Sequence, residues 1–232
     1  MITEEKIFFN SGPLRLAGIL GYPEVGCPIR AVLLCGPHPN FAGNMNNNVV
    51  RALFHALAPN SIVFRFDYRG IGESEIRLHG DYSKYDYWNE VEERKEYSDI
   101  VNDVKAAYCA LNEVDPRIPI YIAGYSFGAI VGLQAGIQLK RPPVKMVGIS
   151  PPLLRYSFDF LHDCTVPCLL ISGRNDFVFA DGENQEAVHW PSTVSQRILD
   201  GEDHFFRERE PIVVEETMTF LNARDSASRS HP

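Results

Sequence analysis

The 232-residue sequence has few cysteines and fewer basic than acidic residues, and both shortages limit its possible functions. Its five cysteines form no CxxC pair and are odd in number, so neither a zinc site nor a complete disulfide framework is favoured. With 22 Lys and Arg against 30 Asp and Glu, the formal charge is −8. This charge argues against nucleic acid or an anionic membrane surface as a partner, and we expect a small-molecule substrate.

Long hydrophobic runs are also missing, because no apolar stretch approaches the ~20 residues that a membrane span needs. The first ten residues, MITEEKIFFN, carry acidic side chains where a signal peptide needs basic ones. We therefore expect a cytoplasmic protein with one domain over 1–222 and a disordered polar tail over 223–232. The sequence leaves the oligomeric state open between monomer and homodimer.

What the chain does contain is an alternation of short runs rich in Val and Ile with longer segments of helical period. This pattern predicts an α/β fold, a mostly parallel eight-stranded sheet with helices on both faces. The predicted strands are 6–10, 14–20, 30–35, 61–67, 118–123, 145–149, 167–172 and 195–199. The predicted helices are 46–58, 96–112, 127–139, 153–162 and 211–222. The turn residues 11–13 between the first two strands predict an antiparallel hairpin.

A serine lies at the junction of a predicted strand and a predicted helix in residues 120–136, IYIAGYSFGAIVGLQAG. The G-x-S-x-G pattern around Ser126 fits a tight turn, because Gly124 and Gly128 lack the Cβ atoms that would collide there. Ser126 would then lie at the carboxyl edge of the sheet, where open α/β folds bind ligands. The alternative is a serine that merely caps the helix.

A serine nucleophile needs a base, and the base needs an orienting acid. Asp176 and His204 each follow a late predicted strand, in the chain order Ser, Asp, His expected for this architecture. The alternatives are a loop histidine at 204 and a turn or helix-capping aspartate at 176, with Asp163 and Asp203 as rival acids. We predict a catalytic triad of Ser126, Asp176 and His204.

Two further motifs resemble a known family. Residues 35–47, CGPHPNFAGNMNN, are similar to the H-P-H-P-x-x-G-G-x-M-x-N loop of a small, cap-poor branch of the α/β-hydrolase superfamily, with Gly36 and Ala42 as departures. Residues 66–74, FDYRGIGES, are similar to a turn that follows the fourth strand of that superfamily. The resemblance covers about residues 6–222 and implies an α/β-hydrolase fold with serine hydrolase activity. Members of this branch are usually described only as predicted hydrolases.

The resemblance also implies an oxyanion hole made of two backbone N–H groups. One donor would be Phe127 and the other Asn40 or Phe41, with Asn40 preferred, since prolines have no N–H to donate. For His38 we weigh a second base against an ordering role in the loop, and we prefer the ordering role.

Residues 75–98 interrupt the alternation with several aromatic side chains. They form either an exposed, partly helical connection or a small lid. In the second case the predicted substrate pocket contains Phe41, Tyr85, Tyr87 and Trp88. Residues 153–163 are a second candidate wall.

These residues predict a serine hydrolase that cleaves carboxylic esters of small to medium size through an acyl-serine intermediate, without a metal or an organic cofactor. The same triad could serve a thioesterase or an acyltransferase, so the substrate is an ester or a thioester. A peptidase is less expected, because a large gating domain is missing. From another class, the chain could be a ligand-binding module that keeps a hydrolase fold without turnover.

Overall fold

The computed structural model describes residues 1–179 and 190–223. Except for Ala223, the predicted disordered tail lies outside the described residues. Within the described residues no helix is both long and apolar enough to span a bilayer.

Within the part of the chain that the structure describes, eight strands form one sheet, in the spatial order β1-β2-β4-β3-β5-β6-β7-β8. The strands are Ile2–Ser11 (β1), Leu14–Pro23 (β2), Ala31–Cys35 (β3), Ile62–Phe66 (β4), Ile120–Tyr125 (β5), Met146–Ile149 (β6), Cys168–Gly173 (β7) and Val194–Leu199 (β8). β2 is antiparallel to both β1 and β4, whereas β3 to β8 pair in parallel. The mostly parallel eight-stranded sheet is confirmed, and the carboxyl ends of β5, β7 and β8 meet at one edge.

The predicted hairpin is present and longer than expected. β1 and β2 pair from Ser11↔Leu14 to Ile2↔Pro23, and the connecting turn contains Gly12 at φ 56°. A side chain is disfavoured at that positive φ, which explains a glycine in the turn. The sequence missed the outer end of β1 because its residues are largely exposed and polar, so they lack an apolar pattern.

Helices cover both faces of the sheet. Over residues 1–179 and 190–223 the α-helices are Asn48–Leu57 (α1), Lys84–Arg94 (α2), Ser98–Val114 (α3), Phe127–Gln138 (α4) and Glu210–Asn222 (α5). Along β3, Val32 and Leu34 face the core under α1 and α5, while Leu33 and Cys35 face the core under α3 and α4. Strand residues buried on both faces explain the continuous apolar runs of the sequence.

Two segments differ from the predicted helices. Residues 153–162 form turns followed by a short 3-10 helix, Asp159–Asp163, rather than an α-helix. Inside 75–98, α2 begins at a reciprocal cap in which the Ser83 hydroxyl accepts from the Asp86 N–H and the Asp86 carboxylate accepts from the Ser83 N–H. This capping box was the sequence signal for a helix within the predicted insert.

Candidate active site

Ser126 lies in a strained turn between β5 and α4. Its backbone has φ 55° and ψ −117°, a conformation that non-glycine residues rarely adopt. A Cβ at Gly124 would lie 2.0 Å from the carbonyl oxygen of Gly128, and a Cβ at Gly128 would lie 2.2 Å from that of Cys35. The turn therefore requires both glycines, and it leaves the partly exposed Ser126 at the carboxyl edge of the sheet.

Ser126, His204 and Asp176 form a hydrogen-bonded chain. Nε2 of His204 lies 3.1 Å from Oγ of Ser126, and Nδ1 lies 2.9 and 3.0 Å from the two carboxylate oxygens of Asp176. Because a carboxylate can only accept, Nδ1 carries the proton and Nε2 is left to accept from the serine hydroxyl. Asp176 is 2% exposed, and its Oδ1 also accepts from the Val178 N–H at 3.0 Å. The structure therefore brings together all three residues of the predicted triad.

The rival acids lie elsewhere. Oδ1 of Asp203 accepts from the N–H groups of Phe205 and Phe206 at 2.8 and 3.1 Å, so Asp203 closes the turn that follows His204. Asp163 is exposed at the end of the 3-10 helix. Of the three acids, only Asp176 contacts the ring of His204.

Two hydroxyl groups support the loop that carries His204. The buried Tyr125 donates its OH to the backbone oxygen of His204 at 2.9 Å, and the Ser150 hydroxyl lies 3.4 Å from the same oxygen. Burial raises the pKa of Tyr125, so its hydroxyl stays protonated as a donor. The residue preceding the candidate nucleophile thus positions the candidate base.

The predicted oxyanion donors lie on two elements. The N–H of Phe127 is at the first position of α4, where an α-helix offers no intrahelical acceptor. In the loop after β3, the N–H of Asn40 donates to Nδ1 of His38 at 3.2 Å, and that of Phe41 donates to the carbonyl oxygen of His38 at 3.0 Å. To bind a substrate oxygen, the Asn40 N–H would therefore have to give up its hydrogen bond to Nδ1 of His38. The choice between Asn40 and Phe41 stays a prediction.

His38 is a buried neutral residue within this loop. Burial lowers its pKa from 6.5 to about 4, an effect that the nearby Glu92 only partly offsets. Its ring centroid lies 4.9 Å from that of Phe127 and 5.2 Å from that of Trp88. These contacts and the bond from Asn40 agree with the predicted ordering role.

A cavity of about 130 Å³ lies beside Ser126. Its wall is mostly apolar and comprises Pro37, His38, Phe41, Asn47, Glu92, Tyr125, Ser126, Phe127, Pro152, Arg155, Tyr156, Phe177, Val178, His204 and Phe205. An apolar cavity of about 150 Å³ can hold benzene, so this volume suits a short acyl or small aromatic group.

Phe41 lines this cavity as predicted, but Tyr85, Tyr87 and Trp88 do not, and that prediction is wrong. Trp88 is 1% exposed and packs beneath His38 and Phe127, one layer behind the wall. Tyr85 is 67% exposed in the first turn of α2, and Tyr87 is half-buried against the Trp88 ring. The burial of each aromatic depends on how α2 docks on the rest of the protein, which the sequence positions alone could not show.

The sequence did not single out several wall residues. Tyr125 precedes Ser126, Phe177 follows Asp176 and Phe205 follows His204, so adjacency to the predicted triad was the available signal. Arg155 and Tyr156 belong to 153–163, the second candidate wall of the sequence analysis. In the described residues, no cluster of three His, Cys, Asp or Glu side chains could hold a metal ion.

Comparisons with known proteins agree with this architecture. Residues 43–159 match the family model "Serine aminopeptidase, S33". The chain is 32% identical over 215 residues to the uncharacterized protein RP471 of Rickettsia prowazekii (strain Madrid E), a match that covers 87% of this chain and 82% of that protein.

Solved structures of similar fold include an alpha-beta serine hydrolase homologue from Coxiella burnetii, with a TM-score of 0.77 and 25% identity over 94% of this chain and 97% of that one. Another is XC6422 from Xanthomonas campestris, described as a serine hydrolase without lid, with a TM-score of 0.73 and 22% identity over 96% of this chain and 97% of that one. The chain therefore belongs to the S33 serine aminopeptidase family, within the α/β-hydrolase superfamily that its motifs resemble.

Proposed function

We propose that this hydrolase cleaves carboxylic esters of small to medium size through an acyl-Ser126 intermediate. The observation that carries the proposal is the hydrogen-bonded chain from Asp176 through His204 to Ser126, which ends at a mostly apolar cavity. Such a chain activates a serine hydroxyl for attack on a carbonyl carbon.

In the first step, Ser126 Oγ attacks the ester carbonyl while His204 Nε2 takes the hydroxyl proton. Asp176 holds Nδ1–H of His204 and stabilises the imidazolium that forms. The carbonyl π electrons move to oxygen and give a tetrahedral oxyanion. His204 then returns the proton to the leaving alcohol as the ester C–O bond breaks.

The oxyanion needs donors placed before the reaction begins. The Phe127 N–H at the head of α4 is one, and an N–H of the loop at Asn40 or Phe41 is the other. One such donor typically contributes ~3 kcal/mol of transition-state stabilisation. The partial positive charge at a helix N-terminus adds to the effect.

Deacylation repeats the same chemistry with water. His204 takes a proton from the water as its oxygen attacks the acyl carbon, and the proton passes to Ser126 Oγ as the acyl C–O bond breaks. One ester and one water thus give one acid and one alcohol, and no cofactor enters either step.

The family name favours a second candidate, removal of an amino acid from a peptide N-terminus. An aminopeptidase needs an acceptor for the substrate ammonium group. The carboxylate in the cavity wall, Glu92, already accepts from Lys95 at 2.7 Å and from the Tyr156 hydroxyl. This engagement favours an ester over a peptide substrate. Thioester cleavage or acyl transfer would use the same groups with another leaving group or acceptor.

A panel of substrates tests the proposal. We expect turnover of p-nitrophenyl acetate and butyrate, a decline toward the octanoate because the cavity is small, and little turnover of aminoacyl p-nitroanilides. Matching acyl-CoA thioesters distinguish a thioesterase. Faster hydrolysis of the anilides or the thioesters than of any ester would contradict the ester proposal, and Ser126→Ala is the blank for every substrate.

A further inference from the structure

The polar side of the cavity contains an ion cluster that the proposed mechanism does not use. Among the described residues, the charged side chains in the wall are Glu92 on α2 and Arg155 in the loop after β6. Lys95 lies directly behind them and donates to Oε1 of Glu92 at 2.7 Å. One carboxylate faces two cations, so the cluster carries one net positive charge.

Glu92 is committed to protein donors. Burial alone would raise its pKa, but the hydrogen bonds from Lys95 and Tyr156, together with nearby positive charge such as that of Lys95, outweigh burial and lower the pKa. Its Oε1 is held by Lys95 and its Oε2 by the Tyr156 hydroxyl. Glu92 is therefore ionised, its charge is paired with Lys95, and each of its carboxylate oxygens already accepts one hydrogen bond from the protein.

The guanidinium group of Arg155 has N–H donors that remain available to a ligand. Its Nη1 lies 3.6 Å from Oε1 of Glu92, which is an ion-pair distance but too long for a good hydrogen bond. The guanidinium group has five N–H donors, and the side chain is 46% exposed. Its Cζ lies 5.6 Å from the centroid of the Phe41 ring, so the cation lies beside an apolar wall of the same cavity.

We propose that Arg155 binds a carboxylate carried by the substrate, so that preferred substrates are anionic esters such as the hemiesters of short dicarboxylic acids. A guanidinium matches the planar carboxylate with two parallel hydrogen bonds. A carboxylate monoanion balances the single net positive charge of the cluster. The inference rests on the proposed function, because it names the substrate class for the same site.

Turnover of a matched ester pair gives the first test. p-Nitrophenyl hemisuccinate and p-nitrophenyl butyrate have four-carbon acyl groups and differ in a terminal carboxylate or methyl group. We expect the wild-type protein to prefer the hemisuccinate in kcat/KM. Arg155→Gln should lower kcat/KM for the hemisuccinate by about tenfold, mainly through KM, and lower the butyrate value at least about fivefold less than that.

Arg94→Gln is the matched control, because Arg94 lies on α2 outside the cavity wall and its removal changes the net charge equally. Arg155→Lys should recover part of the preference for the hemisuccinate. Equal losses for both esters in Arg155→Gln, or a loss of the same size in Arg94→Gln, would overturn the carboxylate subsite.

A binding measurement keeps the inference separate from the proposed function. Ligand-observed NMR on Ser126→Ala should show monomethyl succinate binding about tenfold more tightly than methyl butyrate, with the difference lost when Arg155→Gln is added and reduced by salt. If the wild-type protein turned over no ester, the proposed function would fail, yet this comparison would still decide the role of Arg155. Equal affinities for monomethyl succinate and methyl butyrate, or no binding of monomethyl succinate, would overturn the carboxylate-binding role of Arg155.

Discussion

Contact with the ring of His204 distinguishes Asp176 from Asp203 as the candidate acid of the triad. Asp176 holds Nδ1 of His204, whereas Asp203 accepts only from backbone N–H groups of its own turn. The sequence predicted Asp176 from its position after a late strand, but it could not exclude Asp203. Which way a loop carboxylate turns depends on tertiary contacts that no local pattern encodes.

Asp176→Asn should preserve the fold and lower kcat by up to ~10⁴, because an amide NH₂ favours the wrong tautomer of His204. Asp203→Asn is the matched control. Its amide oxygen can still accept from the two backbone N–H groups, so kcat should stay within about twofold of wild type. Steady-state kinetics with the ester that the wild-type protein hydrolyses fastest gives kcat for both variants. A larger loss of kcat for Asp203→Asn than for Asp176→Asn would reject Asp176 as the acid of the triad.

At the scale of elements, α2 supports the loop after β3 and contributes Glu92 to the cavity wall. Nδ2 of Asn40 donates to Oδ1 of Asn89 at 2.7 Å, and Trp88 packs its ring against that of His38. Oε2 of Glu92 lies 3.9 Å from Nε2 of His38. The sequence predicted an aromatic insert here, but the direction of each side chain follows from the helical period and the docking of α2.

This support predicts a kinetic effect for an exposed residue. Asn89→Ala removes the acceptor for the Asn40 side chain, so the loop that carries the proposed second oxyanion donor is held less firmly. We expect kcat to fall about fivefold with KM unchanged, which corresponds to about 1 kcal/mol for one hydrogen bond.

Asn89→Asp keeps an acceptor oxygen and should restore kcat to within about twofold. Glu93→Ala, at another exposed position of α2, is the control. Equal kcat values for Asn89→Ala and Glu93→Ala, or a loss of unfolding free energy that accounts for the whole change, would show that α2 has no positioning role.

The sheet was the most predictable part of the molecule, since strands buried on both faces leave continuous apolar runs. The outer end of β1 was missed because exposed residues give no such run, and 153–162 was wrongly predicted as a helix although it contains only turns and the 3-10 helix. Residues that come from separate elements, such as Arg155 and Phe41 in one wall, could not be paired from sequence. The division into one domain stays a prediction.

At the scale of the whole molecule, stability should depend on pH through His38. Its pKa is about 4 in the folded protein and 6.5 ordinarily, so between these values the unfolded chain binds a proton that the folded chain does not. The contribution of neutral His38 to the free energy of unfolding is therefore fully present above pH 6.5 and is lost as the pH falls toward 4.

His38→Asn removes this titration but keeps an acceptor for the Asn40 N–H. From pH 7 to pH 4.5, the wild-type protein should lose about 2 kcal/mol more unfolding free energy than the variant does. Urea unfolding at both pH values measures the difference. Equal losses for the two proteins would mean that His38 is not held neutral by burial.

The central claim is that Ser126 is an activated nucleophile, and covalent labelling tests it most directly. A fluorophosphonate probe is added to the folded protein, and mass spectrometry of the intact chain and its peptides locates the adduct. We predict one adduct per chain, on Ser126, with slower labelling of Asp176→Asn and none of Ser126→Ala. No labelling of the folded wild-type protein, or equal labelling of Ser126→Ala, would contradict the account.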